Sequence, residues 1–127
     1  MAAANLDLIF LWHMHQPDYR DPSSGEYALP WTYLHAIKDY TDMAAHLERH
    51  PRLRAVINFV PVLLDQIEDY AAQYASGNLR DPLLRMLIHP DMERLTIDER
   101  KFLLDSCFRS NHTTMLAPFP GYQRLHE

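Results

Sequence analysis

The chain has 127 residues, of which 47% are hydrophobic and 23% are charged, and its net charge at pH 7 is −5. These values predict one soluble globular unit and exclude a disordered or collagen-like chain. The acidic balance argues against a nucleic-acid partner, because phosphate binding needs a basic face. No apolar stretch approaches the roughly 18 to 20 residues of a membrane span. The start of the chain lacks a signal-peptide pattern, so we expect a cytoplasmic protein.

The first predicted element is a strand at residues 8–12, LIFLW, whose unbroken apolar run predicts burial on both faces. His13 and His15 follow directly, at the carboxyl end of the strand, where α/β proteins place their functional sites. The predicted loop over residues 14–30 is rich in proline, serine and glycine. It exceeds the usual βα connection of about 2 to 6 residues, and such long loops are often functional.

A helix is predicted over residues 32–50, with apolar residues that share one face: Leu34, Ile37, Thr41, Ala44 and Leu47. A second strand is predicted at 55–60. A second helix begins at Pro61 and ends at Gly77 and Asn78, with apolar positions at Leu63, Ile67, Tyr70 and Tyr74. Strand, helix, strand, helix over residues 1–77 predicts the βαβ arrangement of a parallel α/β sheet.

Residues 78–127 are predicted to be helical, with no strand. A short helix begins at Asp81 and Pro82, and Thr96 with Glu99 forms the T-x-x-E capping box of a helix that ends near Arg109. In that helix Cys107, the single cysteine, is predicted to be a small buried residue. A proline-rich loop at 115–121 and a helix at 122–127 follow.

Two strands cannot cover their own faces and edges. We therefore expect either the first part of a longer protein or a unit that self-associates through an exposed strand edge.

The pair His13 and His15 is the first candidate for chemistry, because alternate residues of a strand point to the same side. Two histidines without a cysteine or a well-placed carboxylate are a weak metal signal, and one ring can instead bond the loop while the other lies near the surface. A helical stripe of His35, Asp39, Asp42 and His46 could also hold a metal, but its spacing is typical of a solvated helix face.

The long loop carries three carboxylates, Asp18, Asp21 and Glu26. Two of them could act as an acid and base pair, but their Pro and Ser neighbours favour turn formation. Aromatic residues flank the loop at both ends and either stack on a sugar or pack in the core: Trp12, Tyr19, Tyr27 and Trp31.

Three runs, FLWHMHQPDY, LPWTYLHAIKDYTDM and VINFVPVLLDQIEDYA, resemble in order the N-terminal part of glycoside hydrolase family 57. The resemblance implies a retaining α-glucan enzyme with an incomplete (β/α)7 barrel. This chain would supply the first two parallel strands, their helices and the start of a helical insertion. The family's glutamate nucleophile and aspartate general acid/base belong to later motifs that are not found here. The chain alone is therefore expected to be inactive.

The resemblance assigns no catalytic residue, metal or cofactor to this chain. It implies that His15, within HQP, lines the subsite of the sugar under attack and that His13 faces the same pocket. Gln16, Trp31 and Asn58 are implied as further pocket lining, and the partner is an α-glucan or oligosaccharide. Two alternatives remain open. One is a metal-dependent hydrolase or deacetylase of related barrel type with His13 and His15 as ligands, and the other is a non-catalytic assembly module.

Overall fold

The computed structural model describes residues 6–127, so the first five residues of the predicted βαβα unit lie outside the described residues. Helices and a two-stranded parallel sheet give an α/β arrangement, as the sequence predicts. The chain divides into two compact units, Met1–Pro82 and Leu83–Glu127. The first unit contains β1 (Phe10–Met14), α1 (Trp31–His35), a π-helical segment (Ala36–Tyr40), α2 (Thr41–Arg49), β2 (Ala55–Phe59) and α3 (Pro61–Ser76).

The two strands run parallel, with Phe10 opposite Ala55 and Met14 opposite Phe59. Strand β1 lies two residues later than predicted, and β2 lies within its predicted range. The prediction that the first strand is buried on both faces is wrong, because Leu11 of β1 is 65% exposed. Within the described residues no third strand pairs with either edge, so the outer side chains of the sheet stay uncovered.

The segments α1, Ala36–Tyr40 and α2 follow one another without a break as one helix of mixed geometry. The predicted apolar face is wrong in its middle, where Ile37 is 56% exposed and Thr41 and Ala44 are also exposed. The π-helical turn contains more residues than an α-helical turn, so a spacing of 3 and 4 does not keep one face across it. The Thr41 hydroxyl donates a hydrogen bond to the Ala36 carbonyl (2.9 Å) inside this segment.

Helix α3 begins at Pro61, and Gly77 ends it in the left-handed conformation (φ 70°), which confirms the predicted glycine cap. Its buried residues are Leu63, Gln66, Tyr70 and Gln73. Tyr74, predicted on the apolar face, is 47% exposed. Two of the four buried positions are therefore glutamines, and the buried face of α3 is part polar.

The packed interior of the first unit lies between the long loop and α3. Tyr27, in the loop, is 1% exposed, and its ring lies 4.3 Å from that of Tyr70. The Tyr27 hydroxyl donates to Asp69 Oδ2 (2.7 Å), and the Tyr27 backbone N–H donates to the Arg80 carbonyl (3.3 Å). The loop is thus built into the core of this unit.

The second unit is helical, and no strand occurs among its residues, all of which are described. It comprises α4 (Pro82–Leu87, whose first residue ends the first unit), a 3-10 turn (Met92–Arg94), α5 (Ile97–Cys107), a π-helical segment (His112–Leu116) and α6 (Pro120–His126). No helix within residues 6–127 combines the length and the apolar run needed to cross a membrane.

The capping box predicted at the start of α5 is confirmed. The Glu99 N–H donates to the Thr96 hydroxyl (3.2 Å), and the Thr96 N–H donates to Glu99 Oε2 (2.8 Å). The prediction that Cys107 is buried is wrong, because Cys107 is exposed as the last residue of a helix that has no buried residue.

Candidate functional site

The two histidines lie at the carboxyl end of β1, on either side of a buried residue. Met14 is 4% exposed, and its carbonyl accepts a hydrogen bond from the Val60 N–H (3.1 Å). Side chains alternate along a strand, so His13 and His15 project away from the side that Met14 packs. Their rings stack with centroids 5.7 Å apart and planes 10° apart. The strand therefore presents two parallel imidazoles on one exposed surface.

Asn58 joins this pair from the neighbouring strand. Because the strands are parallel and in register, His13 lies directly opposite Asn58. The His13 Nδ1–H donates to Asn58 Oδ1 (2.7 Å). In a neutral His13 this bond leaves Nε2 as an acceptor, and the Asn58 amide keeps its N–H donors. The structure thus brings together three of the predicted site residues.

Gln16 continues the site into the loop. The Tyr19 hydroxyl donates to Gln16 Oε1 (2.8 Å), and Gln16 Nε2 donates to the Tyr40 hydroxyl (3.3 Å). Burial, followed by the neighbouring Tyr40, raises the pKa of Tyr19, so its hydroxyl stays protonated and able to donate at neutral pH. Tyr40 accepts from Gln16 and keeps its own O–H as a donor.

Trp31 is half-buried at the start of α1. Its ring lies 6.4 Å from that of His35, and the His35 ring lies 6.3 Å from that of Tyr40. Tyr40 in turn makes an edge contact with Phe59, the residue after Asn58 (6.5 Å). Trp31 is therefore connected to the site through two other rings, and no ring contact between it and His13 or His15 occurs among the described residues.

The loop carboxylates are engaged in local structure. Asp18 pairs with Arg20 (2.8 Å), and the hydrogen bond from the Arg20 side chain lowers the pKa of Asp18. Asp21 Oδ1 accepts from the backbone N–H of Ser23 (2.8 Å) and of Ser24 (2.9 Å). The Ser23 hydroxyl, followed by these N–H groups, lowers the pKa of Asp21 to about 2. The turn-forming role predicted for Asp18 and Asp21 is confirmed by these contacts.

Side chains of the helical stripe that begins at His35 also make local contacts. His35 pairs with Asp39, and Lys38 pairs with Asp42. Within residues 6–127, no three His, Cys, Asp or Glu side chains come together in a way that could hold a metal ion. No third ligand for His13 and His15 is therefore present in this part of the protein.

Two residues of the site are missing from the sequence-based prediction. Tyr40 reaches Gln16 from the end of the π-helical segment, and helical spacing gives no signal for such a segment. Gln66 is fully buried and bonds the loop just after Gln16. Its signal was available, because a polar residue three positions after Leu63 and four before Tyr70 falls on the buried face of a helix.

Comparisons with known proteins place the chain in one family. The model of glycosyl hydrolase family 57 matches residues 9–120, which extend from the residue before β1 to the first residue of α6. Neither the curated proteins nor the solved structures give a match. Because the family match spans most of the chain and includes every residue of the site described above, the chain belongs to glycosyl hydrolase family 57.

Proposed function

We propose that this chain supplies sugar-binding residues to the active site of a retaining glycosidase or transglycosylase that acts on α-glucans. Starch, glycogen and maltooligosaccharides are the substrates of this class. The observation that carries the proposal is the polar end of the sheet, where His13 and His15 stack and His13 donates to Asn58. Membership of a glycosyl hydrolase family supports glycosidic bonds as the target.

The chemistry of these side chains suits sugar hydroxyls. Imidazole, carboxamide and phenol groups both donate and accept hydrogen bonds, as hydroxyls do. His13, His15 and Asn58 are exposed at the carboxyl ends of parallel strands, the edge at which α/β enzymes bind their substrates. We assign His15 to hydrogen bonding with the sugar under attack, with His13, Asn58 and Gln16 beside it. Trp31 supplies an aromatic wall at the start of α1.

Retaining hydrolysis needs two carboxyl groups about 5 to 5.5 Å apart, one as nucleophile and one as acid and base. Asp18 is paired with Arg20, Asp21 accepts hydrogen bonds within its own turn, and Asp39 is paired with His35. We propose that the nucleophilic glutamate and the acid/base aspartate come from a further part of the enzyme. The 127-residue chain alone would then bind sugar without turning it over.

The exposed sheet supports a larger barrel around this unit. Apolar side chains of both strands face solvent, with Leu11 65% and Val56 56% exposed. Edges and faces of this kind are normally covered by further strands. We propose that β1 and β2 are the first two strands of a (β/α)7 barrel and that residues 78–127 begin a helical insertion. Alternatively, pairing between copies of the chain would cover the exposed sheet. Sedimentation velocity at increasing concentration distinguishes a monomer from such a complex.

A binding titration tests the proposed function. We expect maltoheptaose to perturb the amide resonances of His15 and Gln16 in the NMR spectrum of the chain. His15→Ala should weaken binding about five- to thirtyfold, the effect of losing one or two hydrogen bonds of roughly 1 kcal/mol each. His50→Ala is the matched control, because His50 is exposed before β2, at the opposite end of that strand.

The same samples test for turnover. Incubation of the chain with starch or maltoheptaose should release no reducing ends, since the proposed catalytic carboxylates are absent from it. Release of reducing ends would contradict the proposed division of the active site. Equal weakening by His15→Ala and His50→Ala, or no binding by the unsubstituted chain, would contradict the assignment of His15.

A further inference from the structure

We propose that Gln66 is a positioning residue of the site, which holds the loop after Gln16 in the conformation that sugar binding requires. The role in sugar binding rests on the function proposed above. The positioning itself rests on contacts that do not depend on that function. Gln66 lies on α3, and its side chain is 0% exposed.

The Gln66 carboxamide bonds the loop and α1 as well as its own helix. Its Oε1 accepts from the Tyr19 N–H (3.1 Å) and from the Thr32 hydroxyl (3.2 Å). Its Nε2 donates to the carbonyls of Pro17 (2.9 Å) and Val62 (3.1 Å). These four bonds use both acceptor sites and both donor hydrogens of the amide. A buried amide without hydrogen-bond partners would cost stability. These bonds therefore hold the loop and α1 in fixed positions against α3.

These bonds continue directly into the site. Gln66 holds the backbone of Tyr19, the Tyr19 hydroxyl donates to Gln16, and Gln16 donates to Tyr40. On the other side, Gln66 holds Thr32 in the first turn of α1, next to Trp31. The Gln66 amide is therefore bonded both to the loop that carries Gln16 and to α1, which carries Trp31.

Gln73 provides a matched control on the same helix face. It is also buried (4% exposed), and its Nε2 donates to Asp69 Oδ2 (3.0 Å). Its Oε1 accepts from the Arg80 N–H (2.6 Å). Gln73 is thus a second buried, hydrogen-bonded glutamine, but its partners Asp69 and Arg80 hold the Tyr27 end of the loop. Replacement of Gln73 should disturb that end of the loop without releasing the segment directly after Gln16.

Amide hydrogen exchange in the 127-residue chain tests the proposal with Gln66→Met, Gln66→Glu and Gln73→Met. We expect Gln66→Met to reduce the protection of the Tyr19 amide at least tenfold and to shift the resonances of His15 and Gln16. Gln66→Glu keeps the oxygen acceptors but loses the donors to the Pro17 and Val62 carbonyls and buries a carboxyl group, so it should also reduce the Tyr19 protection. Gln73→Met should lower overall stability without these local changes. Equal loss of Tyr19 protection in Gln66→Met and Gln73→Met would overturn the proposal.

If Gln66→Met fails to fold, the side-chain amide protons of Gln66 in the unsubstituted chain decide the question. Slow exchange of both protons is expected, and exchange at the rate of a free carboxamide would overturn the proposal.

A maltoheptaose titration separates the two claims. Binding should be about tenfold weaker in Gln66→Met than in Gln73→Met. If the unsubstituted chain does not bind maltoheptaose while the exchange results are as expected, the sugar-binding function fails and the positioning of the loop stands. If both variants bind as tightly as the unsubstituted chain, Gln66 does not position the sugar site.

Discussion

The two-stranded sheet and the loop that follows its first strand differ greatly in how far their side chains are covered. In the sheet, Leu11 and Val56 are more than half exposed. In the loop, Tyr27 is 1% exposed and lies against Tyr70 of α3. The conformation of the loop is therefore fixed by contacts within this unit, whereas many apolar side chains of the sheet are uncovered within the described residues. The loop can thus be ordered although the sheet beside it is largely exposed.

The largest test of this contrast compares a leucine of the sheet with a leucine of α3, the helix whose Tyr70 lies against Tyr27 of the loop. Leu63, on the buried face of α3, is 0% exposed. Leu63→Ala should lower the free energy of unfolding by about 2 to 5 kcal/mol, the cost of an unfilled core site. Leu11→Ala, in the sheet, should cost less than about 0.5 kcal/mol. Tryptophan fluorescence during urea unfolding reports on the first unit, which contains both tryptophans, Trp12 and Trp31.

Leu64→Ala is the control for the helix itself, because Leu64 follows Leu63 on α3 but is 44% exposed. It should behave like Leu11→Ala. Similar losses for Leu63→Ala and Leu11→Ala would show that the sheet is as well packed as the buried face of α3 and would remove the contrast.

A smaller effect is expected from alkaline pH. Tyr70 donates to Asp81 Oδ2 (2.6 Å), and burial, followed by this bond, raises the pKa of Tyr70 well above its ordinary value of 10. Above pH 10 the unfolded chain loses this proton while the folded chain retains it. The free energy of unfolding should therefore fall by about 1.4 kcal/mol per pH unit for this residue. Tyr27 adds to the fall, since its pKa is also raised by burial.

Urea unfolding between pH 9 and pH 12 measures this dependence. Tyr70→Phe should make the decrease with pH less steep, although it leaves Asp81 with one bond fewer. Tyr122→Phe, in the second unit, should leave the decrease measured by tryptophan fluorescence unchanged. If Tyr70→Phe has the same pH dependence as the unsubstituted chain, the buried tyrosines do not govern alkaline stability.

The smallest effect is local and occurs in acid. The hydrogen bonds from Ser23 and Ser24 lower the pKa of Asp21 from 3.8 to about 2. The turn should therefore be fully formed above pH 4 and lose these bonds as the pH falls through 2. Amide chemical shifts of Ser23 and Ser24 should titrate with a midpoint near 2, and Asp21→Asn should abolish the titration. A midpoint near 4 would mean that the charged form of Asp21 is not stabilised by the turn.

Local chemistry made part of the fold predictable. Thr96 with Glu99 and the cap at Gly77 were found from sequence, because each is defined by a few neighbouring residues. The predicted burial of the first strand and of Cys107 is wrong, because burial depends on which other elements cover a side chain. An apolar run indicates that its side chains are more stable when buried. It does not show whether another element of the fold buries them.

The candidate site was predictable to a similar degree. The HQP run drew attention to His13, His15 and Gln16, which lie together at the end of β1. The bond from His13 to Asn58 follows from the strand register, and the register becomes known only with the structure. Tyr40 was not identified, because its position depends on the π-helical segment.

The π-helical segment Ala36–Tyr40 holds about one residue more than an ordinary α-helical turn. If the same residues formed an ordinary α-helix, everything after the segment would be rotated by up to about 100° around the helix axis. Trp31 would keep its place before the segment, while Tyr40 would turn away from Gln16. The contact between Tyr40 and Gln16 therefore depends on the widened helical turn that separates Tyr40 from Trp31.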